Sequence, residues 1–382
     1  MSKILIAGDL LPSEGNYSLF EQGDARALFG NEICNMFAEA DYSIFNLEGP
    51  LTDSDKMLFK DGPGIKAPSQ TVNGIKNLGV KAVALANNHT TDFLKKGYED
   101  TVSILEKAGI DYVGAGIDQD SIKTHISVEV GGKKVCIYNV SELFFNKAGK
   151  DSPGANIYDE YIVCNEIKEL KKSHDFLIVI YHGGAEYFPY TTPQTRTRFH
   201  RMADCGADFI TAQHTHCISC AEKYNGSYLL YGQGNFLFAR QKKFPNLTKH
   251  GLIAEIQLTD SGFEVKNHLI NIVGNVLEYD KNQDLSEFYE RGKKLCDEDF
   301  LVSLFEERKS KEIMFNYLTT YKGRYPFRIV FRSLFPKLYH KWMLRSYSDA
   351  HCIRNFNVIM GGRRSEDMFY VWRHILKKRN LI

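Results

Sequence analysis

Ala84-Leu85-Ala86-Asn87-Asn88-His89-Thr90-Thr91-Asp92 is the stretch on which the fold turns. The apolar run that leads into it, Val80 to Leu85, has the length of a buried strand. Beyond it, a helical pattern begins near Leu94 and stops at Gly109. Asn-Asn-His therefore stands where a strand gives way to a helix, the edge at which open α/β sheets place their ligands. An amide oxygen ligates a hard or borderline cation, and a neighbouring imidazole moves a proton. Taken alone, the triplet reads equally well as a turn. Its weight comes from other strand ends that carry residues of the same kind.

Upstream, Lys3 to Ala7 is a short apolar strand that runs into Gly8-Asp9. Helical spacing follows over Asn31 to Glu39. A second strand from Asp41 is stopped by Gly49-Pro50 and delivers Asn46 and Glu48 at its end. Residues 51–70 read as a loop, and Thr71 to Leu78 as a helix. Downstream, a short strand ends in Gly114-Ala115-Gly116, and a hairpin is expected around Gly131-Gly132. Glu166 to Ser173 reads as a charged helix. The strand Phe176 to Tyr181 ends at His182-Gly183-Gly184, and Pro193 to Cys205 is a helix carrying Arg196, Arg198 and Arg201. Ala207 to Ala212 leads to His214-Thr215-His216, and Ser227 to Tyr231 leads to Gly234-Asn235-Phe236. Leu252 to Leu258 and Val265 to Ile272 read as a closing pair of strands. Alternation of strand and helix persists to about residue 275, the pattern of a layered α/β domain. Residues 276–382 are expected to form a mostly helical, basic and aromatic extension.

The bulk numbers agree with a soluble globular chain: 382 residues, 43% hydrophobic and 25% charged. The net charge of +1 conceals an asymmetry: Ser303 to Ile382 carries 17 Lys/Arg against 6 Asp/Glu. A basic tail on an acidic body suits a body that holds cations and a tail that meets something anionic. The N-terminal run is too short for a signal peptide, and no run of about 18 apolar residues predicts a membrane span. The eight cysteines are scattered, which fits reduced thiols in a cytoplasm. Cys217 and Cys220 lack a second pair to complete a zinc site and read as packing residues beside the histidines.

Asp9, Glu48, Asn88, His89, His182, His214, His216 and Asn235 thus gather at strand ends. In a layered sheet these ends converge, giving a mixed oxygen and nitrogen donor set suited to Mn, Fe or Zn. A carboxylate such as Glu48 can bridge two ions about 3.5–4 Å apart, which would activate a shared water. His-x-His after a strand is the stronger part of the pattern, because alternate residues point the same way. His125, His174 and His250 read as ordinary hydrogen-bonded histidines.

The ordered motifs Gly8-Asp9, Asn46-Leu47-Glu48, Ala86-Asn87-Asn88-His89 with Asp92, His182-Gly183-Gly184-Ala185-Glu186-Tyr187, His214-Thr215-His216 and Gly234-Asn235-Phe236 resemble those of the CapA family. That family is associated with capsule and poly-γ-glutamate synthesis. The resemblance covers roughly residues 3–260 and implies the calcineurin-like metallophosphatase fold, a four-layer α/β/β/α sandwich. It further implies that Asp9 and His216 serve one metal, that Asn88, His182 and His214 serve a second, and that Glu48 bridges. His89 would then be the general acid, working with Asn88 at the catalytic end of the site. Asn46, Asp92, Glu186, Arg196 and Asn235 would support ligands or substrate. Arg196 or Arg201 could clamp an anionic substrate, though both read more readily as plain surface charge.

Five positions depart from the pattern of the resemblance: Leu11 where such folds usually carry a histidine, Glu48 for an aspartate, Gly183 where the family often has Trp, and Ala212-Gln213 where it often has Gly-His. The basic aromatic stretch 322–345 reads as packed helix, as an amphipathic surface for anionic lipid, or as a contact for a polyanionic substrate. No nucleic-acid motif is present. The favoured expectation is a phosphoesterase-like hydrolase in the making of an anionic exopolymer, cytoplasmic and peripheral to the membrane. The alternative is a non-catalytic accessory with a vestigial metal site.

Overall fold

A computed structural model describes residues 2–305 apart from 61–62, 144–145 and 239–244, together with 307–308 and 338. The chain divides into two compact units, Met1–Leu301 and Val302–Ile382. The stretch 322–345 lies, Leu338 aside, outside the described residues.

The first unit runs β1 (Ser2–Leu11), α1 (Tyr17–Gln22), α2 (Ala25–Glu39), β2 (Tyr42–Leu47), α3 (Val72–Leu78), β3 (Ala82–Ala84) and α4 (Leu94–Ala108). Next come β4 (Asp111–Val113), β5 (Ala115–Gly116), β6 (His125–Val130), β7 (Lys133–Ser141), β8 (Gly154–Ala155), α5 (Glu160–Lys171), β9 (Phe176–His182) and α6 (Pro193–Asp204). It closes with β10 (Phe209–Gln213), β11 (Ala221–Tyr224), β12 (Ser227–Leu230), β13 (Asn235–Phe238), β14 (His250–Thr259), β15 (Gly262–Val273), β16 (Val276–Tyr279) and α7 (Ser286–Lys294). Among the described residues one sheet has the order β16-β15-β14-β1-β2-β3-β4, with β13 also paired to β1, and a second has the order β11-β12-β10-β9-β7-β6.

Strand periodicity explains why the sheets stack. Ile4 and Ile6 of β1 point into a core shared with Val135, Ile137, Ile178, Ile180 and Phe209 of the other sheet. Leu5 and Ala7 point the other way, onto Phe20, Phe29, Phe37, Ile75 and Leu105 of α1 to α4. In β9, Leu177, Val179 and Tyr181 face Val163 and Ile167 of α5 and Phe199 and Met202 of α6. Both central strands are therefore buried on two faces, which is why they read as continuous apolar runs. The result is the expected four-layer α/β/β/α order.

Helix ends follow local chemistry. Thr192 caps α6 by accepting from Thr195 N–H at 3.0 Å, with Pro193 in the first turn. Asp159 caps α5 through Ile162 N–H, so this helix begins at Glu160, earlier than its charged pattern suggests. α4 ends on Gly109, whose φ of 74° is left-handed. The strand β16 pairs with β15, and Arg291 of α7 donates to the Ser219 carbonyl at 2.8 Å. The compact unit thus continues to Leu301, past the boundary expected at 275, because a four-residue edge strand carries too little pattern to be seen in composition.

Candidate metal centre

β1 does not stop at Ala7 but continues through Gly8 and Asp9, with an irregular register to β2 between Ala7 and Asp9. Gly8 is required there, since a Cβ would lie 2.0 Å from the Gly234 carbonyl oxygen. That close approach lets β13 pair with β1 so that Asp9 stands opposite Asn235 on one side and Asn46 on the other. In the second sheet β9 and β10 run parallel, with His182 opposite Gln213, so the histidines 182, 214 and 216 leave the same edge. Asp9, Glu48, Asn88 and Asn235 come from the first sheet, the three imidazoles from the second.

The ligand atoms converge. Glu48, His182 and His214 each offer an atom within 4.8 Å of the others, and so do Asp9, Glu48 and His216. Glu48 is common to both groups: its Oε1 lies 3.9 Å from His182 Nε2 and 3.6 Å from His216 Nε2. Asn88 joins the first group, its Oδ1 standing 2.9 Å from His182 Nε2. Asn46 Nδ2 donates to Asp9 Oδ1 at 2.8 Å and lies 3.3 Å from His182 Nδ1. Asn235 Oδ1 sits 2.9 Å from His216 Nδ1, which leaves Nε2 of that ring toward Glu48. Glu186 comes within 3.6 Å of His214 Nε2. His89 Nδ1 lies 2.6 Å from Asp92 Oδ2, and Asp92 also accepts from Ile65 N–H at 2.8 Å.

The turn that carries two of the imidazoles is strained. His214 and His216 have φ of 85° and 51°, and Tyr187 has 56°, all in the left-handed region that costs a non-glycine residue about 1–3 kcal/mol. The surroundings hold them there: His214 N–H donates to Asp9 Oδ2 at 2.9 Å, and Tyr187 N–H to the Thr215 carbonyl at 2.8 Å.

Electrostatics fit the same reading. Burial, helped by the neighbouring imidazoles, holds His182 well below its usual range and His214 down to about 3. Neutral imidazoles at every ordinary pH are what metal ligation needs. Burial likewise raises the Asp9 carboxyl, opposed chiefly by His216. Fully buried carboxylates are costly unless a positive charge is shared with them. A divalent cation suits this donor set of two carboxylates, three imidazoles and an amide.

Not every expected residue reaches the centre. Arg196 is engaged elsewhere, donating to Glu222 at 3.1 and 3.0 Å. Leu11 packs in the helix-side core, where a Cβ on Gly49 would meet it at 2.9 Å. Cys217 and Cys220, expected to pack beside the site and not to join it, are buried. Two residues at the site were missed. Asn87 donates to Asn46 Oδ1 at 3.0 Å and to the Leu47 carbonyl at 2.8 Å, and it stood inside the quoted motif. Lys60 pairs with Asp92 and lies 3.3 Å from His89 Nδ1, yet its loop carried no signal beyond composition.

Two buried three-residue groups that share one carboxylate define a layered α/β protein with a candidate metal centre. The chain belongs to the bacterial capsule synthesis protein PGA_cap family, whose model matches residues 3–240. It is similar to the capsule biosynthesis protein CapA of Bacillus anthracis, 30% identical over 232 residues, 58% of this chain and 56% of that one. The PGA biosynthesis protein CapA of Bacillus subtilis (strain 168) is 29% identical over 240 residues, 60% of this chain and 62% of that one. The similarity thus spans less than two thirds of each relative. A solved structure described as a novel phosphatase, from Mycoplasma pneumoniae, superposes with a TM-score of 0.46 at 16% identity, covering 75% of this chain and 98% of that one.

Proposed function

We propose that this chain is a metal-dependent hydrolase of phosphoesterase type that acts in the synthesis of a bacterial anionic exopolymer, poly-γ-glutamate or a capsular polysaccharide. The observation that carries the reading is the Glu48 carboxylate common to two buried donor groups. The names of the relatives support the polymer setting.

When bound, Mn, Fe or Zn ions would supply a Lewis acid and a more acidic water. Asp9, Glu48 and His216 would hold one ion; Glu48, Asn88, His182 and His214 the other. The chain's own groups do the rest. His89 delivers a proton to the leaving oxygen; burial favours its neutral ring and holds it below the usual imidazole range, and Asp92, which holds the ring by Nδ1, works against that burial in favour of the charged form. Lys60 balances the Asp92 charge, and with Leu58 N–H, which donates to the Asp92 carbonyl, it ties residues 58–60 to the pair. Asn46 holds Asp9 in place, and Asn235 holds His216.

Among the described residues no helix is long and apolar enough to cross a membrane. We place the work on the cytoplasmic side, with the basic stretch 322–345 meeting anionic lipid; flotation with anionic vesicles, wild type against Arg324→Glu with Arg328→Glu, tests this.

The site reading is tested by elemental analysis of purified protein beside hydrolysis of an aryl phosphate with added Mn²⁺. About two metals per chain with turnover supports the hydrolase. No metal and no turnover overturns it in favour of a non-catalytic accessory of polymer synthesis.

A further inference from the structure

Gly183 follows His182 with no side chain, and the space beside it is filled from another strand: a Cβ at residue 183 would lie 2.5 Å from Cγ of Glu142. Glu142 follows β7 and touches the chain on both sides of His182. Its N–H donates to the His182 carbonyl at 2.9 Å. Its Oε2 accepts from Gly184 N–H at 3.2 Å, and its Oε1 from the Tyr181 hydroxyl at 2.8 Å. Arg198 of α6 completes the arrangement: Nη1 donates to the same Oε1 and to the Tyr181 oxygen at 2.6 Å, while the guanidinium lies 4.9 Å over the Tyr158 ring.

We infer that Glu142, held by Arg198, is a positioning residue for His182, substituting for the side chain that position 183 lacks. The inference rests on the proposed reading of His182 as a metal ligand. Residues 181, 182 and 184 are each fixed by one carboxylate or its own backbone, so the ring leaves the sheet at a set angle toward Asn88 and Glu48. Such outer contacts are worth about 10- to 100-fold in metal affinity in other sites. Arg201, one turn along α6, pairs instead with Glu160 and makes no hydrogen bond to Glu142 or Tyr181 among the described residues.

The test is Mn²⁺ binding by calorimetry on the full chain, beside the melting temperature of metal-free protein. Glu142→Ala should weaken Mn²⁺ binding about 10- to 100-fold. Glu142→Gln keeps an acceptor for Gly184 N–H, is nearly the same size, and should fall between that variant and wild type. Arg201→Ala should bind as wild type does. Wild-type affinity in Glu142→Ala, or an equal loss in Arg201→Ala, overturns the inference. If wild-type protein binds no Mn²⁺, the reading of the site fails first and this inference with it.

Discussion

His89 Nδ1 stands 2.6 Å from Asp92 Oδ2, on a turn where the same carboxylate also accepts from Ile65 N–H. The ring is thereby held by one nitrogen, and the other is left for chemistry. His89→Asn should lower Mn²⁺-dependent aryl phosphate turnover by about 10²- to 10⁴-fold with metal content unchanged. Asp92→Asn should give a smaller loss of the same kind. Steady-state kinetics with elemental analysis of each variant checks both.

Glu48 is the one side chain common to both donor groups. Glu48→Ala should therefore empty the whole centre, whereas His214→Ala and His216→Ala should each spare the group to which they do not belong. Metal counts per chain in the three variants would decide this. Equal loss in all three would mean a single undivided site.

Glu222 anchors a network away from the centre, accepting from Arg196, from Tyr231 at 2.6 Å and lying 2.8 Å from His200. Burial alone would raise its carboxyl, but these donors, Arg196 foremost, outweigh it and hold it below the usual 4.5. A carboxyl depressed by folding stabilises the protein above its unfolded value, and that share is lost as pH falls through the folded value. Wild type should thus lose stability on acidification faster than Glu222→Gln, while Glu222→Gln is the weaker protein at neutral pH by about 2 kcal/mol. Melting temperatures across the acid range give the comparison.

Gly8 has no room for a methyl group beside the Gly234 carbonyl. Gly8→Ala should cost about 3 kcal/mol and, by pushing β13 away from β1, weaken Mn²⁺ binding through Asp9 and Asn235. Denaturant unfolding with calorimetry would show both effects together.

Strands such as β1 and β9 could be read directly because burial on both faces writes an unbroken apolar run. The polar residues that converge at the candidate centre could be picked out because each stands just past such a run. What escaped was long-range. Lys60 reaches His89 across a loop without periodicity, and Glu142 acts through a strand neighbour that pairing alone brings close. Val276 to Tyr279 is a strand only because β15 offers it an edge. Arg196 carried a charge that suited substrate, but only the fold reveals Glu222 beside it.

Oxygen and amide donors rise from one sheet and imidazoles from the other, so a cation seated between them would act as a rivet through the sandwich. Its binding energy would add to the cohesion of two layers already joined by an apolar core and by buried hydrogen bonds such as His214 N–H to Asp9 Oδ2 and Gln213 Nε2 to the Ala7 carbonyl, by the mass-action term for any ligand that prefers the native state. A chelator should then do more than silence the centre: it should let the layers part at lower temperature.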